Sequence, residues 1–143
     1  MRNVSQILER KGGRVVSMAE DQPVIEAVRL MAEHHIGAVL VMRGNELAGI
    51  ASERDYARKV VLQGRSSSDT LVATIMSSPV VCVGPSESLG DCMAIMTERH
   101  IRHLPVLEGG RILGIVSIGD LVKHKISEVE AEADGLKAYI AAS

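Results

Sequence analysis

The chain has 143 residues, 46% of them apolar, with 16 basic and 18 acidic side chains and a formal net charge of −2. That length allows one compact domain or two small ones sharing a core, and the charge balance lacks the basic field of a general nucleic-acid binder. With two Tyr and no Phe or Trp, the core must come from Val, Ile, Leu, Met and Ala, and the aromatic platforms that stack single-stranded bases are missing.

In chain order, residues 1–6 contain no apolar h-region, and no apolar run approaches the roughly 20 residues of a membrane span. A cytoplasmic location without a membrane contact is expected. Val4, Ile7 and Leu8 precede Gly12-Gly13 and predict a short N-terminal helix over 1–11 that docks on the rest. Val15-Val16 predicts a strand. Val24, Ala27, Val28 and Met31 recur at helical spacing, with Asp21 as candidate cap and Pro23 near the first turn. Strands are predicted over 38–42 and 47–51, joined by a Gly44-Asn45 turn, and a second helix begins at Ser52. After a polar loop at 64–69 and a helical turn at 70–76, the pattern restarts with an apolar strand over 80–83. Leu89, Cys92, Met93 and Met96 mark the next helix, with Ser88 and Asp91 at capping-box spacing. A hairpin turning at Gly109-Gly110 and a helix from Ser117 complete the copy. Val122, Ile126, Val129, Ala133, Leu136 and Ile140 then follow at 4-3-4-3-4 spacing, a heptad-like seam on a C-terminal helix over 128–143. Lys123, Lys125, Glu128, Glu130, Glu132 and Lys137 line its other faces. The seam serves either packing on its own subunit or a dimer contact.

The restart is a duplication. Shifted by 65 residues, the segment 15–61 falls on 80–126 without a gap. His35-Ile36 meets His100-Ile101. Gly49-Ile50-x-Ser52-x-x-Asp55 meets Gly114-Ile115-x-Ser117-x-x-Asp120. The expected fold class is therefore α/β, of α+β type: two tandem β-α-β-β-α repeats, 12–63 and 74–127, packed about a pseudo-two-fold axis. One copy alone is marginal in size, and two packed together bury both sheets.

The residues Gly49-Ile50-Ala51-Ser52-Glu53-Arg54-Asp55 and Gly114-Ile115-Val116-Ser117-Ile118-Gly119-Asp120 both fit a G-h-h-[ST]-x-x-[DN] pattern, where h is apolar. With Ser78-Pro79-Val80-Val81 and Arg102-His103-Leu104-Pro105-Val106, the organisation resembles the tandem cystathionine-β-synthase (CBS) domain pair, or Bateman module, over about residues 12 to 127. Its tail resembles those of small stand-alone bacterial members. The resemblance implies that Asp55 and Asp120 bind ribose hydroxyls and that Ser52 and Ser117 approach phosphate. It implies an adenosine-containing ligand, AMP first, with ADP, ATP, NAD(H) or S-adenosylmethionine as the other choices, and a homodimer. No cofactor is required.

Elementary chemistry points the same way. An ionised carboxylate accepts both hydroxyls of a cis-diol, and a helix N-terminus favours phosphate. The apolar opening strands, Val80 and Val81 among them, offer a flat wall for adenine. Ser-x-x-Asp also serves helix capping, and the two roles are compatible. The copies differ: Glu53-Arg54 stands where the second has Ile118-Gly119, and Arg102-His103 where the first has Gly37-Ala38. If the copies face each other, Arg54 reaches a phosphate held beside Ser117 and Asp120; otherwise it sits on a solvated face with Arg58 and Lys59. The Asp120 junction, with Arg102, His103 and Pro105 in its own copy, is expected to be the better mononucleotide site.

Other chemistry is not expected. His100 and His103 have no partner at zinc-type spacing, and Cys82 and Cys92 form no CxxC motif and read as buried thiols. No nucleophile elbow, P-loop or Rossmann glycine fingerprint occurs. The expectation is a non-catalytic sensor that acts in trans on a regulated protein. The alternative is an interaction scaffold whose nucleotide sites are vestigial.

Overall fold

A computed structural model describes residues 2–142. The predicted N-terminal and C-terminal helices reach Met1 and Ser143, which lie outside the described residues. The elements are α1 (Val4–Lys11), β1 (Ser17–Ala19), α2 (Val24–His34), β2 (Ala38–Arg43), β3 (Glu46–Ser52), α3 (Glu53–Tyr56, continued by a π-helical turn at Ala57–Val61), α4 (Val72–Ile75), α5 (Leu89–Arg99), β4 (His103–Glu108), β5 (Arg111–Ser117) and α6 (Ile118–Ala142). They form two compact units. One is Val15–Val81; the other joins the segment up to Arg14 to the chain from Cys82 onward.

In the Val15–Val81 unit, β2 is central, with β1 parallel on one side and β3 antiparallel on the other. Residues 38–41 of β2 are all buried, because helices cover the sheet and a covered strand reads as a continuous apolar run. Val24, Ala27 and Met31 pack there from α2, with Val72 and Ile75 from α4. The predicted Asp21 cap is corrected. Pro23 is the N-cap of α2 and makes no side-chain bond. The first N–H groups of the helix go instead to Thr70 O (2.8 Å) and Ser67 O (2.9 Å) in the loop before α4, which leaves a capping side chain nothing to satisfy.

In the other unit the hairpin β4–β5 repeats β2–β3 down to the bulge, which falls at Val41/Met42 in one and at Val106/Leu107 in the other. Gly109 and Gly110 both have positive φ, as a two-residue hairpin turn requires. The predicted strand over 80–83 does not form; only Val83 bridges Val106. Two prolines explain the loss. In the first copy Leu40 N–H bonds Val16 O and Glu20 N–H bonds Met42 O. Pro105 and Pro85 stand 65 residues on from Leu40 and Glu20 and have no N–H to give. Val80 and Val81 are half-buried irregular chain, and so are their counterparts Val15 and Val16: the predicted Val15-Val16 strand is corrected as well, since β1 begins at Ser17.

The equivalent His35 and His100 end α2 and α5 in the left-handed conformation, φ 54° and 55°, with their N–H groups bonded to Met31 O and Met96 O. Their shared position is a helix stop. Helix α1 starts with a reciprocal Asn3–Gln6 capping box. It lies along β5, where Leu8 Cδ2 stands 2.8 Å from the point a Cβ on Gly114 would occupy. The second helix of the second copy and the C-terminal extension are one continuous 25-residue helix, α6.

Candidate functional site

Each Ser-x-x-Asp lies where a strand hands over to a helix. At the β3–α3 junction Ser52 is the N-cap. Its Oγ accepts the Asp55 N–H (3.2 Å), and its own N–H donates to Asp55 Oδ2 (3.0 Å), as does its hydroxyl (3.0 Å). At the β5–α6 junction Asp120 N–H donates to Ser117 Oγ (3.2 Å) and Ser117 N–H to Asp120 Oδ2 (2.8 Å). Both copies thus form a capping box, and both turn their carboxylate back over the N-terminus of the following helix.

The motif glycine is explained by a chain segment that crosses the strand. A Cβ on Gly49 would stand 2.5 Å from Met76 Sδ and 3.0 Å from Ser77 O, because residue 77 runs across β3 and pairs with Ile50. In the other unit the segment after α1 crosses β5, with Gly13 Cα 3.8 Å from the same point on Gly114. Gly49 and Gly114 are therefore places of close backbone approach.

The two carboxylates have different partners, and sequence reasoning missed all of them. Asp55 Oδ1 receives Lys59 Nζ (3.2 Å) and the Ser77 hydroxyl (3.4 Å). Lys59 Nζ also donates to Ile75 O (2.9 Å). Asp120 Oδ2 receives Lys11 Nζ (2.7 Å) from α1, which also donates to Ile115 O (2.8 Å). Bonds within its own unit engage both oxygens of Asp55, whereas the Lys11 and Ser117 N–H bonds to Asp120 converge on the single oxygen Oδ2.

A signal for this difference was present in the repeat. Lys59 and Ser77 fall, 65 residues apart in register, on His124 and Gly12, and Lys11 falls on Met76. The second copy has no lysine one turn after its Asp and no hydroxyl on its crossing segment, so the cation arrives from α1. His124 is buried at 4% exposure and pairs with Arg2 Nη1 through Nε2 (3.0 Å).

Charge follows from these contacts. Burial works to raise the Asp120 carboxyl, but the Lys11 ammonium and the Ser117 N–H prevail and hold it below the usual carboxylate range. His103, paired across the hairpin with Ser117, has its imidazole pushed down by burial and by Lys11 and Arg102, against the opposing pull of Asp120. Ring and carboxylate thus share one cation and form one electrostatic cluster.

The remaining sequence-predicted residues are placed as follows. Arg102 is exposed, and its carbonyl accepts the Ile118 N–H at 2.8 Å, fixing the start of α6. Pro105 is buried in β4 and accepts the Val83 N–H at 3.0 Å. Arg54 is exposed on α3, and Val80 and Val81 are half-buried. The structure brings Ser117, Asp120, His103 and Lys11 together in one unit, and Ser52, Asp55, Lys59 and Ser77 in the other. Burial raises both thiols, that of Cys92 to about 11 with help from Glu87 and Asp91; Cys92 is buried as expected, whereas Cys82 is only half-buried.

A family profile described as the CBS domain matches residues 4–62 and again 72–127. The mitochondrial CBS domain-containing protein CBSX3 of Arabidopsis thaliana is 38% identical over 146 residues, spanning 96% of this chain and 71% of that protein. The CBS domain-containing protein YhcV of Bacillus subtilis is 32% identical over 128 residues, spanning 90% of this chain and 91% of its own. Among solved structures, a protein with CBS domains from Burkholderia ambifaria is 52% identical, with a TM-score of 0.85, over 87% of this chain and 94% of that one.

Proposed function

This chain belongs to the CBS-domain family, and we propose on that premise that it is a non-catalytic regulatory module binding an adenosine-containing ligand, AMP before ATP, ADP or NAD(H). Pairs of this family commonly serve as regulatory modules for such ligands. The observation that carries the reading is the Asp120 junction. It combines a carboxylate whose Lys11 and Ser117 N–H bonds converge on one oxygen, the first turn of a long helix, and the Lys11 cation 2.7 Å away. The carboxylate suits a ribose hydroxyl; the helix start and the ammonium suit a phosphate.

Asp120 is the stronger site in this proposal. Asp55, with both oxygens already bonded to Ser52, Ser77 and Lys59, must give up internal bonds to receive a diol. That same crowding favours the scaffold reading for the first junction, as a vestigial site. Among the described residues no helix is long and apolar enough to cross a membrane, and the module is proposed to act in the cytoplasm, as a homodimer, on a regulated protein in trans. Ligand shifts the balance between two arrangements of the module by binding one of them better.

A thermal-shift panel with AMP, ADP, ATP, NAD(H) and S-adenosylmethionine tests this. A ligand at about 100 times its Kd stabilises by about 2.7 kcal/mol. Asp120→Ala is expected to abolish most of the ligand-induced shift and Asp55→Ala to leave most of it. No shift with any of the five hands the function to the scaffold reading, and the reverse order of the two variants overturns the ranking of sites.

A further inference from the structure

We infer that helix α6 pairs in parallel, in register, with α6 of a second copy of this chain, through a short left-handed coiled coil. This rests on the homodimer reading and adds the surface, the direction and the residues that set it.

Helix α6 has two distinct stretches. Its first turns are held by its own unit through Leu121 and His124, which are buried, with Ser127 and Glu128 half-buried beside them. From residue 129 on, no described side chain of the helix is buried or half-buried. An isolated helix of about 14 residues is marginal in water, and Gly135 weakens it further. Yet this stretch carries large apolar side chains: Leu136 is 60% and Ile140 63% exposed, and Ile126 just before it 53%. A helix with that pattern needs a surface to cover it.

The spacing identifies the surface. Taking Ile126, Ala133 and Ile140 as heptad a positions and Val122, Val129 and Leu136 as d, the residues held by the unit fall at c (Leu121, Glu128), f (His124) and b (Ser127). Those positions lie opposite the a/d seam. The unit therefore grips the back of the helix and leaves the seam outward.

The flanking charges identify the occupant. Positions e are Lys123, Glu130 and Lys137 and positions g are Lys125, Glu132 and Tyr139, all exposed. In a parallel, in-register pair each g residue faces e of the next heptad on the other helix. Lys125 then meets Glu130 of the second copy, and Glu132 meets its Lys137, each pair occurring twice by symmetry. The antiparallel arrangement that fills the same seam, Ile126 against Leu136 and Val129 against Ala133, sets e against e and g against g. It places Glu130 on Glu130 and Glu132 on Glu132. Antiparallel registers shifted by one heptad restore opposite-charge pairs, such as Glu130 with Lys137, but cover only four of the six seam residues. The parallel pair alone covers all six and sets opposite charges together, and it selects a second copy of this helix and one direction for it.

The test is sedimentation of the full chain over a range of concentration. The wild type is expected to dimerise. Ile126→Asp with Leu136→Asp should raise the dimer dissociation constant by about a hundredfold, since it buries charges without partners. Lys125→Glu alone should raise it about tenfold, and adding Glu130→Lys should restore it. These sites are exposed, and circular dichroism with the thermal midpoint of the full chain checks that the variants fold. Leu136→Cys, with wild type as the control for Cys82 and Cys92, should cross-link readily, because parallel pairing sets each residue against its own copy. A wild-type dimer untouched by the Asp substitutions overturns the α6 interface and leaves the homodimer standing. A monomer at all concentrations overturns both. Loss of affinity in Lys125→Glu without restoration by Glu130→Lys overturns the parallel register.

Discussion

Replacing Lys11 by Met tests the local logic of the Asp120 junction, because Met76 occupies the equivalent place in the first copy and the substitution keeps most of the apolar stem. It removes two hydrogen bonds at once, to Asp120 Oδ2 at 2.7 Å and to Ile115 O at 2.8 Å. The Asp120 side chain is 23% exposed and that of Lys11 38%, so solvent screens the pair and repairs part of the loss. A charge-assisted bond contributes about 1.5–3 kcal/mol when shielded and an exposed ion pair about 0.2–1; at this intermediate exposure the expected loss is about 1 kcal/mol. For a chain of this size that is about 3–5 °C in Tm. The assay is urea unfolding of wild type, Lys11→Met, Asp120→Asn and the double variant, giving a coupling energy. The pH dependence separates the ion pair from simple packing. Asp120 is held below its ordinary value in the folded chain, so its contribution is complete above about pH 4 and is lost as pH falls through the folded value. The gap between wild type and Lys11→Met should therefore close as the medium is acidified below about pH 4. A gap that stays constant into strong acid, or a coupling energy of zero at pH 7, refutes the assignment of Lys11 as the counter-ion of Asp120.

Other perturbations follow from the same contacts. Gly49→Ala drives a Cβ to 2.5 Å from Met76 Sδ and 3.0 Å from the Ser77 carbonyl, and should destabilise the chain by about 1–3 kcal/mol. Gly114→Ala should do less, since it meets the end of the Leu8 side chain at 2.8 Å, which can turn away; equal losses in urea midpoint contradict that difference. Ser52→Ala removes the cap of α3 and is expected to lower stability by about 1 kcal/mol, read in the same titration. His103 and His124 are both held below the ordinary imidazole value, in each case first by burial. Unfolded, they take up protons near about pH 6.5. Stability should therefore be full above that pH and fall as the medium acidifies below it. Replacing both by Gln should flatten the urea midpoint between pH 7.5 and 5.5, and an unchanged slope counts against the assignment.

Much of the fold was legible because the chain states it twice. Hairpins, helix stripes and the Ser-x-x-Asp junctions recur at the same offset, and periodicity with turn chemistry sufficed to place them. The misses have particular causes. The strand over 80–83 looked apolar enough, but Pro85 and Pro105 had removed the N–H groups that its counterpart's ladder uses at Glu20 and Leu40. The loss was visible in a position-by-position reading of the offset and invisible in hydrophobicity. Asp21 was a reasonable cap by residue type, yet the loop carbonyls of Ser67 and Thr70 had already taken the helix N–H groups, a tertiary contact that no local pattern encodes. Lys11 lies 109 residues from Asp120, and a partner at that separation becomes apparent only once the chain is folded.

The Lys11 contact also changes how the duplication bears on function. A duplicated carboxylate would give two like sites if its surroundings were duplicated too. Here the residue four positions after the aspartate changed from Lys59 to His124, and the crossing segment from Ser77 to Gly12. At Asp55 the counter-charge is local, one helical turn away, and the hydroxyl of Ser77 closes the remaining oxygen. At Asp120 the counter-charge comes from α1, a separate element attached through Gly12-Gly13. Under the proposed function, a ligand that competes for the Asp120 oxygens, or draws the Lys11 ammonium toward a phosphate, touches one contact of the N-terminal helix, whereas the same event at Asp55 stays within α3 and its neighbours. Helix α1 is held besides by buried Val4 and Ile7 and by the Val4 and Ser5 N–H bonds to Glu87 O and Pro85 O, so under the proposed function a ligand at Asp120 bears on a contact between two separate elements, and one at Asp55 on contacts close to a single helix start.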